Sequence, residues 1–280
     1  MSPAAVDVCF TPREIRPVEV AIVLDVLRAT STIVEALAVG YPHVICCSSI
    51  AAARDLRAHG RVLAGERDCV RVPDFHLGNS PAAVAAAGRR GKELVLATTN
   101  GSPAIVAASA AARRVLIGSL LNLRALLDAI PADGAVTIVC AGTDGRPALE
   151  DVYVAGRLVA GMSGDRSDAA RVAAGVASAY QAALEPLAES ENGARLRASG
   201  QAPDIVWCAR ESVLRVVPEV HSSEDGLAVV GRSSAEDAPP WSRPTPAARP
   251  GAFSCRSIDP RHHRSAAPDP RSVTRRARAS

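Results

Sequence analysis

Short apolar segments alternate with helix-like segments between residues 18 and about 220. The segments that read as strands include VEVAIVLD, ELVLA, RRVLI and GAVTIV, and each leads into a turn rich in Gly, Ser, Thr or Asn. Strands separated by helical segments of about 10–15 residues are typical of βαβ units and of a buried, mainly parallel sheet. We therefore predict an α/β fold with a mainly parallel or mixed sheet in three layers, built from repeated βα units and more helical towards its C-terminal part.

The pattern ends near Glu224. The residues that follow include APPWSRPTPAARPGAF and PDPRSVTRRARAS, which are rich in Pro, Arg, Ser and Ala and have no apolar period. Such a segment cannot bury enough apolar surface to offset its loss of conformational entropy. We predict an α/β domain over residues 1–223, in one piece or as two subdomains, and a disordered basic tail over residues 224–280. The alternative for the tail is a basic arm that binds nucleic acid or membrane, but no aromatic residues are interleaved at stacking spacing.

The composition narrows the class of protein. Hydrophobic residues make up 48% of the chain, charged residues 22%, and the mean hydropathy is +0.11, which is typical of a globular protein. No segment approaches the roughly 20 apolar residues of a membrane helix, and the N terminus lacks the pattern of a secretory signal. We expect a cytoplasmic protein with neither a membrane nor a nucleic acid as partner. The seven cysteines include no C-x-x-C pair, which argues against a disulfide framework and against a zinc site.

The polar turns that follow the strands indicate an anionic ligand. A turn of small polar residues that enters a helix exposes backbone N–H groups at the positive end of the helix dipole, which suits phosphate. Turns on neighbouring parallel strands converge on one crevice at the carboxyl edge of the sheet. The candidate ligand-binding residues in these turns are Arg28, Thr30, Ser31, Asn79, Ser80, Thr99, Asn100, Gly101, Ser119, Gly142, Thr143 and Gly145.

Carboxylates lie beside several of these turns. Asp25 ends one strand, Glu66 ends another in GERD, and Glu150 and Asp151 lie in the first turn of a helix. Carboxylate oxygens are the ligands that Mg²⁺ prefers, and Mg²⁺ commonly bridges to phosphate. We expect Asp25 and Glu66, with Glu150 or Asp151, to hold Mg²⁺ and its water, and Arg146 to stabilise phosphate. The simpler interpretation is that the hydroxyls only cap helices and that the acids are ordinary loop or surface residues.

Two other functions remain open at this point. Cys140-Ala-Gly-Thr-Asp-Gly-Arg146 matches the C-x5-R phosphate loop of cysteine-dependent phosphatases, which would attack phosphorus with Cys140 and need no metal. Val139 replaces the His that usually precedes such a cysteine. A non-enzymatic sensor of a phosphorylated metabolite could use the same turns, but it would gain nothing from the additional carboxylates.

Six motifs in series resemble one known family. DVLRATST, GER, LGNSP, TTNGS, GSLLN and CAGTDGR-x-x-LED are similar, in order and spacing, to the 2-phosphosulfolactate phosphatases of coenzyme M biosynthesis. The resemblance spans about residues 18–218 and implies an α/β fold and a Mg²⁺-dependent hydrolysis of 2-phospho-3-sulfolactate to 3-sulfolactate and phosphate. The chain departs from the pattern at His76, where an acid is expected, and at Asp144, where glycine is common. Soluble metabolic enzymes are often symmetric homo-oligomers, so a homo-oligomer is one expected state.

Overall fold

The computed structural model describes residues 5–57, 60–89, 93–130 and 134–233. The strands within these ranges are β1 (Ala5–Cys9), β2 (Val18–Leu24), β3 (His43–Cys47), β4 (Arg61–Arg67), β5 (Val70–Arg71), β6 (Glu93–Ala97), β7 (Ala112–Gly118), β8 (Ala135–Cys140), β9 (Asp165–Arg166), β10 (Pro218–Glu224) and β11 (Leu227–Arg232). The part of the predicted tail from residue 234 onward lies outside the described residues.

The helices in the same ranges are α1 (Ala29–Ala38), α2 (Ile50–Asp55), α3 (Pro81–Ala87), α4 (Gly101–Ala111), α5 (Leu123–Ala129), α6 (Leu149–Gly161), α7 (Asp168–Ser178), α8 (Leu184–Glu189), α9 (Glu191–Ala198) and α10 (Ala202–Cys208). Four of them, α7 to α10, follow one another without a long strand between them, as predicted for the C-terminal part. None of the described helices is long and apolar enough to cross a membrane.

The strands form one mixed sheet in the order β5-β4-β6-β3-β11-β10-β7-β2-β8-β1-β9. The pairs β2–β7, β2–β8, β3–β6, β4–β6 and β1–β8 are parallel. The hairpin of β10 and β11 is antiparallel and lies between β3 and β7. This arrangement confirms the predicted α/β class with a mixed, mainly parallel sheet.

Both faces of the central strands are covered by helices. Alternate residues of β2 point to opposite faces, so that Ile22 and Leu24 pack in the core that contains α6 and α7. Ala21 and Val23 instead pack in the core that contains α1 and α4. Because both faces are buried, β2 reads as a continuous apolar run, and the layers number three as predicted.

The core that contains α1 and α4 includes residues of strands that are distant in the sheet. The core on that face includes Val62 of β4 and Leu94 of β6, near one end of the strand order, together with Val23 of β2 and Val139 of β8, near the other end. The right-handed twist of neighbouring strands accumulates over a sheet of this width. The carboxyl ends of β4 and β6 lie near that of β2, although four strands separate β6 from β2 in the sheet.

The domain end predicted at residue 223 is wrong. β10 runs to Glu224, Asp225 and Gly226 form the turn with positive φ at both residues, and β11 pairs with β3 from Leu227 to Gly231. The folded domain therefore reaches at least Arg232. An Asp-Gly pair between strands is a strong hairpin signal, and it was overlooked because the exposed outer half of β10, HSSE, carries no apolar alternation.

Candidate active site

Asp25 lies directly after β2 and begins the loop that enters α1. Its Oδ1 accepts a hydrogen bond from the Ala29 backbone N–H at 3.1 Å. The Thr30 hydroxyl closes the same loop, because it accepts from the Asp25 N–H and donates to the Asp25 carbonyl. Burial raises the pKa of Asp25 to about 7, and the negative charges of Glu66 and Glu150 act in the same direction. The side chain is thus a buried acid whose ionised form is unfavourable in this environment.

Glu66, at the end of β4, is held by two neighbouring loops. Its Oε1 accepts from the Thr99 backbone N–H at 2.9 Å and from the Thr99 hydroxyl at 3.1 Å. Its Oε2 accepts from the Cys69 backbone N–H at 3.0 Å. Because Thr99 follows β6, these bonds fix the carboxylate between the ends of two adjacent strands.

Residues from six separate segments line one polar cleft. It occupies about 450 Å³ including its open mouth. The lining residues are Asp25, Leu27, Arg28, Glu66, Asp68, Cys69, Asn79, Thr99, Asn100, Asp144, Asn192 and Arg195. The structure thus brings together six of the residues singled out in the sequence, namely Asp25, Arg28, Glu66, Asn79, Thr99 and Asn100.

Arg28 is fixed in the wall of the cleft by α10 and the turn before it. Its Nη1 donates to the Gln201 side-chain oxygen and to Asp204 Oδ2, and its side chain is 2% exposed. Asp204 Oδ1 in turn accepts from the Ser80 hydroxyl at 2.7 Å. Ser80 therefore supports the arginine and caps α3, where its hydroxyl accepts from the Ala83 N–H.

Asp151 ties the β2–α1 loop to the loop after β8. Its two carboxylate oxygens accept from the Val26 N–H at 2.9 Å and from the Gly142 N–H at 3.1 Å. Burial raises its pKa well above the ordinary value, with the charges of Glu150 and Asp25 adding to the effect. Asp151 does not line the cleft, so the expected metal contact does not fit this placement.

Glu150 lies behind the cleft. Its Oε1 accepts from Asn192 Nδ2 at 2.6 Å, and the same amide donates to the Thr143 hydroxyl. Its Oε2 is buried and has no hydrogen-bond partner among the described residues. Burial raises the pKa of Glu150, and the Asn192 hydrogen bond opposes that effect. Glu150 is close enough to influence Asp25, but it is not a lining residue.

Several other residues predicted to bind the ligand instead stabilise the nearby loops and helix ends. The Ser31 hydroxyl donates to the Val26 carbonyl, and Ser119 forms a capping box with Asn122. Gly142 and Gly145 adopt positive φ in the loop after β8. Arg146 does not line the cleft and pairs with Glu191 at 3.2 Å, so its expected phosphate contact does not fit this placement.

Sequence analysis missed the contribution of the helices near the C terminus. Asn192 and Arg195 lie three residues apart in α9 and both line the cleft. The available signal was this i, i+3 spacing, which places two polar side chains on one helix face. Gln201 and Asp204, which hold Arg28, were also missed, because their role depends on tertiary contacts.

A family model described as "2-phosphosulpholactate phosphatase" matches residues 9–223. The chain belongs to this family. Proteins named "Probable 2-phosphosulfolactate phosphatase" include one from Pseudothermotoga lettingae, 35% identical over 76% of this chain and 94% of its own length. Another, from Carboxydothermus hydrogenoformans, is 36% identical over 80% of this chain and 96% of its own length. A third, from Thermus thermophilus, is 37% identical over 71% and 87% of the two lengths.

Membership of the 2-phosphosulfolactate phosphatase family confirms the resemblance and makes the chain a phosphoric monoester hydrolase. An enzyme is thereby favoured over the sensor considered above. His76, one departure from the family pattern, is exposed, and its Nδ1 accepts from the Leu63 N–H at 3.0 Å, a structural contact. The other departure, Asp144, lines the cleft and pairs with Arg195 at 2.9 Å.

The cysteine mechanism does not fit this phosphatase. Cys140 is fully buried in the core shared with α6, and it does not line the cleft. Burial raises the pKa of its thiol well above 9, so that the nucleophilic thiolate is disfavoured. Arg146, the last residue of the C-x5-R match, is exposed and does not line the cleft.

The donor set of the cleft fits Mg²⁺ bound through few protein ligands. Within the described ranges, no three His, Cys, Asp or Glu side chains form a ready metal-binding group. Mg²⁺ typically keeps several waters and uses one or two carboxylates together with substrate phosphate. Asp25 and Glu66 supply two carboxylates, and Asn79 Oδ1 is buried in the same cleft with no hydrogen-bond partner among the described residues. These oxygens suit such a cation.

Proposed function

We infer that this protein is a Mg²⁺-dependent phosphatase that hydrolyses 2-phospho-3-sulfolactate to 3-sulfolactate and phosphate, as a step of coenzyme M biosynthesis. The observation that carries the proposal is the burial of two carboxylates, Asp25 and Glu66, with the guanidinium of Arg28 in one cleft. The substrate follows from the name that the family and its relatives bear. A cytoplasmic location stays a prediction from the sequence.

The role proposed for each residue follows from the charge of its side chain. Asp25 and Glu66 would hold the cation, which would neutralise charge on the phosphoryl oxygens and activate a water. Arg28 would bind a phosphoryl oxygen, because its guanidinium is fixed by Asp204 and Gln201 and loses little entropy on binding. Thr99 supports Glu66, and Asn100, the residue that precedes α4, lines the cleft.

The test is phosphate release from 2-phospho-3-sulfolactate by the wild type, Asp25→Asn and Glu66→Gln, each with and without Mg²⁺. We expect a loss of Mg²⁺-stimulated kcat of at least about 100-fold in both variants, because each removes a charged ligand and keeps the shape. Asp168→Asn is the matched control, since Asp168 is 98% exposed on α7, and it should retain full activity. Absence of phosphate release by the wild type, or full turnover by both cleft variants, would contradict the proposal.

A further inference from the structure

Arg195 occupies the boundary between the cleft and the surface. It lines the cleft together with Asp25 and Arg28, and it also lines an open groove outside, with Asp68, Asp144 and Ser199. Its side chain is 40% exposed and so remains accessible to a ligand. A molecule that entered the cleft from this groove would pass the guanidinium.

The guanidinium of Arg195 forms hydrogen bonds with two carboxylates of the chain. Its Nη2 donates to Asp144 Oδ2 at 2.9 Å and to Glu191 Oε1 at 2.7 Å. Asp144 is a lining residue of the cleft, whereas Glu191 is on the same helix as Arg195 and lines neither cleft nor groove. The Asp144 carboxylate thus stands where an anionic group of a ligand in the cleft would meet Arg195.

The charges that line the cleft show why Arg195 matters for binding an anionic ligand. The lining cations are Arg28 and Arg195, and the lining acids are Asp25, Glu66, Asp68 and Asp144. An oxyanion that an ester carries besides phosphate needs a cation beside it, because an unpaired anion next to four acids is repelled. Arg28 lies with Asp25 and Glu66 at the buried end, where the phosphoryl group is proposed to bind, and Arg195 is the other lining arginine.

We propose that Arg195 is a specificity-determining residue that binds one of the two anionic groups that the substrate carries besides phosphate, its carboxylate or its sulfonate, and that Asp144 occupies its guanidinium until the substrate arrives. This inference rests on the proposed function for the identity of the substrate. Asp144 lowers the affinity for that group by competition, so the pair sets how strongly esters that carry this group are preferred over esters that lack it.

The test combines binding and kinetics in the full chain. By calorimetry, Arg195→Met should weaken binding of 3-sulfolactate about 10- to 100-fold and leave the affinity for inorganic phosphate within about 3-fold, as for loss of a charge-assisted hydrogen bond. With 2-phospho-3-sulfolactate, KM should rise much more than kcat falls. Lactate carries only a carboxylate and isethionate only a sulfonate. The one whose affinity falls more in Arg195→Met carries the group that Arg195 binds. Arg197→Met is the matched control on the same helix, because Arg197 donates to the Ala188 carbonyl. This substitution should leave the affinities for 3-sulfolactate and for phosphate unchanged.

Asp144 is tested by a double-mutant cycle. Asp144→Asn should tighten 3-sulfolactate binding by about 2- to 5-fold, as for release of an exposed ion pair, and this gain should vanish in the Arg195→Met background. Glu191→Gln removes the same charge outside the cleft and should give a smaller gain. An equal gain for Glu191→Gln, or an equal loss of phosphate and 3-sulfolactate binding in Arg195→Met, would overturn the inference. Because binding is measured without turnover, absence of hydrolysis would reject the proposed function alone.

Discussion

At the scale of single residues, the cleft is dominated by side chains whose charge is costly in the free protein. Asp25 accepts one backbone hydrogen bond, yet it is buried beside two other acids, and its pKa is raised to about 7. Glu150 has one buried oxygen with no partner among the described residues. Such groups reduce stability, and they are retained where a bound cation or ligand recovers the cost.

The stability of the metal-free protein should therefore depend on Asp25 and pH. Asp25 ionises near pH 3.9 in the unfolded chain and near pH 7 in the folded one, so its contribution to stability is fully present below about pH 4 and is lost as the pH rises to about 7. Asp25→Asn should be more stable than the wild type at pH 8 by up to about 4 kcal/mol, with no difference near pH 4. The measurement is urea unfolding in a chelator from pH 4 to pH 8.

Magnesium provides the control for that prediction. Added Mg²⁺ should raise the free energy of unfolding of the wild type at pH 8 and leave Asp25→Asn nearly unchanged, because only the wild type offers the carboxylate. A difference between the two proteins that stays constant from pH 4 to pH 8 would show that Asp25 does not titrate in this range.

At the scale of elements, the sequence predicted the strands better than the tertiary contacts between elements. The apolar runs of β2, β6, β7 and β8 were recognised because strands buried on both faces need no alternation. Asp25, Arg28 and Glu66 were placed in one site because the ends of parallel strands share an edge. Asn192 and Arg195 were missed because α9 reaches the cleft through packing, and no local pattern specifies that contact. The motif match predicted Arg146 in the site, whereas its guanidinium pairs with Glu191, because a motif match does not fix the direction of a side chain.

The first turn of α4 shows how closely the elements meet at the site. A Cβ added at Gly101 would lie 2.4 Å from Ala29 Cβ and 2.6 Å from Asp25 Oδ2. Gly101→Ala must therefore displace α1 or the carboxylate, at a cost of about 1–3 kcal/mol typical of overpacking. We expect kcat to fall in proportion to the shift of Asp25, which steady-state kinetics and urea unfolding would measure together.

Gly175 in α7 supplies the matched control for that substitution. A Cβ added there meets no atom within 4 Å. Gly175→Ala should leave kcat unchanged and stabilise the protein by about 0.5–1 kcal/mol, because alanine loses less backbone entropy in a helix. Unchanged kcat and stability in Gly101→Ala would contradict the close approach of α4 to Asp25.

At the scale of the whole molecule, the site depends on a sheet whose middle strands, β10 and β11, come after the other strands in the sequence. The hairpin of β10 and β11 joins β3 to β7, and so it connects the half of the sheet that carries Glu66 with the half that carries Asp25. The family match ends at residue 223, one residue before β10 ends, so β11 lies beyond the matched residues. The sheet nevertheless needs β11, since β3 would otherwise lose its partner on that side.

Shortened chains test this role of the hairpin. A chain that ends at residue 233 keeps β11 and should retain the cooperative unfolding transition and the activity of the full chain. A chain that ends at residue 223 loses β11, and with it the five residue pairs from Leu227–Cys47 to Gly231–His43 and the buried side chains of Ala228 and Val230. Loss of two buried aliphatic side chains and of a central ladder costs several kcal/mol, which is comparable to the whole stability of a domain. We therefore expect the shorter chain to be insoluble or to lack a cooperative transition by circular dichroism, and a folded, active chain ending at residue 223 would show that the two halves of the sheet associate without the hairpin.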